Sequence, residues 1–102
     1  MSYDFKLGDN KEVGIQISSN DGTNFSVTAT YKYMSRSNQV ISSGTARIET
    51  SKVFALVEPQ LGMGQKVVFT CVVTPLKADG TVDVSKNVQT IVGEVIVNVT
   101  NV

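Results

Sequence analysis

Apolar and polar residues alternate one by one along much of this chain. Residues 25–33, FSVTATYKY, put Phe25, Val27, Ala29, Tyr31 and Tyr33 on one parity and Ser26, Thr28, Thr30 and Lys32 on the other. Successive side chains of a strand point to opposite faces, so the stretch predicts a strand with one dry and one wet face. EVGIQIS repeats the pattern, with Val13, Ile15 and Ile17 inward against Glu12, Gly14, Gln16 and Ser18. A short strand around Tyr3–Leu7 precedes it. QVISSGTARIE places Val40, Ser42, Gly44, Ala46 and Ile48 together, and Gly44 predicts a bulge or a change of partner at mid-strand. VFALV is apolar on both parities, as expected of a strand covered on two sides or lying at an interface. KVVFTCVVTP turns Val67, Phe69, Cys71 and Val73 inward. The last and longest segment, VQTIVGEVIVNVTNV, puts Ile91, Val95, Val97 and Val99 on its dry side, with Gly93 expected to mark a bulge.

Turn signals separate these segments. GDNK, SNDGTN, SRSN and TSK are short, and Asp-Gly and Asn tolerate the positive φ of tight reversals. EPQLGMGQ and LKADGTVDVSKN are longer, and the second contains another Asp-Gly turn. No 3.6-residue period persists. About seven strands at this spacing predict a single all-β domain over residues 1–102, an antiparallel sandwich, with a small barrel as the alternative. The terminal segments are the expected sheet edges.

Charge and composition narrow the roles. Nine basic and nine acidic residues balance to zero, unlike a nucleic-acid binder or a polybasic membrane-surface protein. The lone Cys71 forms no intrachain disulfide, and its apolar surroundings suit a core thiol. Neither a secretory signal nor a membrane-spanning run is present in the sequence, which predicts a soluble, unexported product, or one that leaves the cell inside a particle released on lysis.

Histidine is absent, and with it the commonest general base and zinc ligand. No phosphate-binding glycine motif occurs. The remaining acid pairs, Asp79 with Asp83, Glu49 with Glu58 and Asp9 with Glu12, sit in or beside turns, so no catalytic residue, metal or cofactor is assigned and an enzyme is not expected. Asp21-Gly22 and Asp79-Gly80 could offer oxygens to calcium, but the spacing lacks the EF-hand pattern, and hairpin turns are the simpler reading. Asn24-Phe25-Ser26 and Asn98-Val99-Thr100 match the glycosylation pattern inside predicted strands. Tyr31 and Tyr33 could stack on sugars, but their parity assigns them to the core.

The run SVTATYKYMSRSNQVISSGTARIETSKVFALVEPQLGMGQKVVFTCVV resembles small immunoglobulin-like proteins of tailed bacteriophages and prophages. The resemblance rests on Ala29-Thr30-Tyr31, on Val40 to Ile48 with Ser43-Gly44, on Ala55 to Pro59, and on Gly64 with Val67 to Val73; it spans residues 12–99. Where these sequences commonly have Gly-x-Tyr, this chain has Gly64-Gln65-Lys66. The resemblance implies an immunoglobulin-like β-sandwich and a head, neck, tail or baseplate accessory protein. Such a protein would assemble with other virion proteins or with itself, as a homo-oligomer, and would carry no catalytic residue. A small carbohydrate-binding or adhesin-like module, meeting a cell-surface glycan, is the alternative.

Two candidate interfaces follow. One is the outer parity of the last strand, Val92, Glu94, Ile96 and Asn98. The other is the loop carrying Leu61 and Met63 as exposed apolar anchors. The sequence assigns no role to the loop at 76–90.

Overall fold

The computed structural model describes residues 2–9, 11–17, 24–49 and 52–101. Among these, the chain forms eight strands and no helix: β1 (Ser2–Lys6), β2 (Lys11–Gln16), β3 (Phe25–Met34), β4 (Val40–Thr45), β5 (Arg47–Glu49), β6 (Lys52–Val57), β7 (Gly62–Pro75) and β8 (Gln89–Thr100). A five-stranded sheet has the order β1-β8-β7-β3-β4, and a three-stranded sheet the order β2-β6-β5. The hairpins β3–β4, β5–β6 and β7–β8 stay within a sheet, while the connections before β2, β3, β5 and β7 cross between sheets. This is an immunoglobulin-like β-sandwich.

The dry parities read from the sequence meet between the sheets. Val13, Val53, Val57, Val67, Phe69, Cys71, Val95, Val97 and Val99 are almost fully buried, joined by Phe5, Ile17, Ala29, Tyr33, Ala46 and Ala55. Burying a Val- or Phe-sized side chain contributes about 1.5–3 kcal/mol, so these alternating faces supply the drive for the two sheets to close.

The structure departs from expectation at five places. QVISSGTARIE is two strands: residues up to Thr45 pair with β3, whereas Arg47–Glu49 pair with β6 in the opposite sheet. The switch falls at buried Ala46, whose amide bonds the Ala29 carbonyl at 2.9 Å, two residues beyond the predicted Gly44. Gly44 itself lies under the Tyr31 ring, and the bulge falls at the other end of β4, between Tyr33 and Met34.

Gly93 marks no bulge. It pairs with Phe69 in unbroken register and leaves room for Ile15 from the facing sheet. The last strand is no edge either: β1 pairs with it in parallel from Ser2↔Ile96 to Lys6↔Thr100, and β7 covers its other side. β1 and β4 are the edges of that sheet.

VFALV is buried on one face only: Val53, Ala55 and Val57 point inward while Leu56 is exposed. The loop predicted through Met63 and Gly64 ends sooner, because β7 begins at Gly62 with a register shift before Gln65.

The Asp21-Gly22 turn lies outside the described residues. The second Asp-Gly segment does form a small hairpin. Leu76 bridges Val82, the Lys77 amide bonds the Thr81 carbonyl at 2.7 Å, and Gly80 takes a φ of 88° that suits glycine.

Candidate functional site

The two outer faces of the sandwich differ in chemistry. On the three-stranded sheet, Arg47 of β5 reaches across β6 to β2. Its Nε and Nη2 donate to the two carboxylate oxygens of Glu12 at 3.1 and 2.9 Å, and Nη1 donates to Glu49 at 2.6 Å. The guanidinium lies 4.6 Å from the centre of the Phe54 ring, which in turn covers Gly14. Hydrogen bonds to Glu12 and then Glu49 raise the pKa of this guanidinium further above its ordinary value. The three charges of this cluster are bonded to one another, and the Phe54 ring beside them is capped by the guanidinium.

The outer face of the five-stranded sheet is bare by comparison. Register sets its residues in rows. Met34, Lys66 and Ile96 form one row; Lys32, Val68 and Glu94 the next; then Thr30, Thr70 and Val92; then Thr28, Val72 and Thr90. Ser26 and Thr74 continue the face, and Thr45 of β4 flanks Thr30. From the Thr30 row onward the face carries no charge, only threonine, serine and valine. Val92 is 65 % exposed. Lys32 and Glu94 bound this uncharged field, and among the described residues neither has an ion-pair partner.

Val92, Glu94 and Ile96 thus belong to this face, as predicted. Asn98 also points to it, but its side chain works within the fold. Its Oδ1 accepts the Gly64 amide at 2.9 Å and its Nδ2 donates to Asp4 at 3.2 Å, tying β7, β8 and β1 together. The sequence missed the rest of the face, because Thr28, Thr30, Thr70 and Val72 read as ordinary wet positions until register aligned them.

Leu61 and Met63, 59 % and 55 % exposed, do stand free, and with Ser35, Arg36 and Ser37 they line an open groove of about 380 Å³. Beneath it lies a polar cluster that pattern reading also missed. Gln65 is only 4 % exposed. Its Oε1 accepts the Tyr33 hydroxyl proton, its Nε2 donates to the Gln60 carbonyl at 2.9 Å, and the Gln60 amide donates to the Tyr33 oxygen at 3.0 Å. Burial pushes the Tyr33 phenol above its ordinary pKa, partly offset by the Gln60 amide. The departure Gly64-Gln65-Lys66 therefore has a partner in β3, and a polar residue on the inward parity is the signal that pointed there.

The candidate acids do not converge. Asp79 accepts the Thr81 hydroxyl at 2.7 Å and its amide at 3.0 Å; Asp83 accepts the Ser85 hydroxyl at 2.5 Å and its amide at 3.0 Å. Those hydroxyl bonds, then the amides, hold both carboxyls below the usual aspartate range. Glu49 is bonded by Arg47, Glu58 is exposed beyond β6, and Asp9 accepts the Lys6 amide at 3.2 Å. Among the described residues, no three His, Cys, Asp or Glu side chains form a group able to hold a metal ion. Cys71 is buried, and desolvation raises its thiol pKa. Tyr33 is buried and Tyr31 half-buried, consistent with their core parity.

No protein-family model and no curated protein matches the chain. Among solved structures it is similar to the crystal structure of CopC from Methylosinus trichosporium OB3b, with a TM-score of 0.47 and 14 % identity, over 96 % of this chain and 86 % of that one. A likeness at that level carries no functional argument.

Proposed function

We propose that this chain is a non-catalytic building block of a bacteriophage or prophage particle, working by fitting against other proteins. The observation that carries the reading is the contrast between the two outer faces. One carries Arg47 bonded to both Glu12 and Glu49; the other is a field of threonine and valine with its charges confined to one end. Protein surfaces facing only water intersperse both signs of charge, whereas the cores of interfaces are depleted of charge.

The particle as destination is supported by the sequence pattern. Ala29-Thr30-Tyr31 lies in β3, Ser43-Gly44 in β4, and Ala55 to Val57 at the end of β6. These residues build the sandwich, so the pattern speaks of a scaffold. Its partners are other virion proteins or further copies of itself.

Mass spectrometry of particles purified from an induced lysogen carrying this gene tests the reading. The chain is expected in intact particles, in several copies each. Its absence from them, with the chain abundant in the soluble lysate, overturns the proposal.

A further inference from the structure

The charges that bound the bare face are arranged to meet their opposites on a second copy. Lys32 of β3, Val68 of β7 and Glu94 of β8 stand in one row, with β7 central. When two such faces pack about a two-fold axis running along β7, the axis exchanges the β3 and β8 columns. Lys32 then faces Glu94 of the second copy, and Glu94 faces its Lys32. The same operation sets Met34 against Ile96, Thr30 against Val92 and Thr28 against Thr90, while Val68, Thr70 and Val72 each meet themselves. Lys66, also on the axis, is the one like-charge meeting, and it lies diagonal to both Glu94 side chains. A two-fold interface must be complementary to itself, and this face satisfies that condition in charge and in apolar content.

From this arrangement we infer that the chain forms a homodimer through the outer face of β3, β7 and β8, with reciprocal Lys32–Glu94 pairs at one end. Facing sheets pack about 10 Å apart with strands within about 30° of alignment, a gap that lysine and glutamate side chains span together. Three strands over nine residues of β7 offer roughly 500 Å² per copy, at the low end of specific interfaces, so the dimer is weak and concentration-dependent. The inference deepens the reading of the chain as an assembly module and names its first partner.

Sedimentation equilibrium of the full chain tests it. The wild type is expected to pass from monomer to dimer with rising concentration. Lys32→Glu and Glu94→Lys should each weaken the dimer by about tenfold or more, since like charges then oppose across the axis. The double variant, Lys32→Glu with Glu94→Lys, should recover wild-type association to within about threefold, because reversal restores both pairs. Thr70→Lys, at the axis, should abolish association. Both charged positions are exposed, so unchanged melting temperatures will show that folding is intact. A wild type that stays monomeric at millimolar concentration overturns the inference, as does a double variant no better than the singles. Neither result touches the particle assay, so the two readings fail separately.

Discussion

Ile15 of one sheet fills the space that Gly93 of the other leaves open. A Cβ placed on Gly93 would lie 2.8 Å from Ile15 Cδ1, closer than real Cβ contacts come, while the next nearest atom of Ile15 is 3.7 Å away. The glycine in the longest strand is thus a fitting between sheets. Cδ1 is the far end of a partly buried side chain that can swing aside, so Gly93→Ala is expected to cost less than about 1 kcal/mol. Ile15→Val removes the clashing Cδ1, so it should cost less in the Gly93→Ala background than the ~0.5–1.5 kcal/mol it costs alone. Urea denaturation of the three variants measures this, and a purely additive loss would remove the fitting as the cause.

Tyr33 and Gln65 make the second prediction. Tyr33→Phe keeps the ring but leaves the Gln65 Oε1 and the Gln60 amide without their bonds to the hydroxyl. Stranding buried polar groups costs about 1–3 kcal/mol each, so the urea midpoint should fall markedly. The sign of the pH effect follows from the raised phenol pKa. The folded state favours the neutral phenol, so its contribution is whole below the ordinary tyrosine pKa of about 10 and is lost as pH rises beyond it. Stability profiles of wild type and Tyr33→Phe should therefore converge above that pH.

The turns of the Leu76–Val88 segment respond at the other end of the scale. Asp79 and Asp83 have lowered pKa values. What they add is present above the ordinary aspartate pKa of about 3.9 and disappears only as pH falls through the lowered values. NMR titration should find both carboxyls ionising below the usual aspartate range. Asp79→Ala should speed amide exchange at Thr81 while leaving the global urea midpoint unchanged, as exposed substitutions usually do.

Cys71 supplies a probe of opening. Its thiol is buried in the centre of β7 with a raised pKa. Thiolates are the reactive form, so labelling by a disulfide reagent should be negligible in the native protein and complete after denaturation. Rapid native labelling would mean that the sandwich opens locally near β7.

Pattern reading did well wherever the answer depended on one residue and its neighbours two positions away. Parity assigns Val13, Val67, Phe69, Cys71, Val95, Val97 and Val99 inward, and all are buried. The Asp79-Gly80 turn was legible because its geometry is local. The candidate face was legible only in its last strand, as Val92, Glu94 and Ile96. Lys32 and Glu94 stand 62 positions apart in sequence, and nothing in either segment announces that β7 lies between them.

Taken alone, then, the amino-acid order determined that this protein is built of strands and which side of each would be dry, because a pleated chain alternates its side chains every residue. The tertiary structure alone decided which strands became neighbours, where the chain left one sheet for the other at Ala46, and that Gln65 would be buried with Tyr33 as its partner. Period two records a face but no address. Pairing and polar satisfaction are settled by segments far apart in the chain, once hydrophobic burial has brought them together.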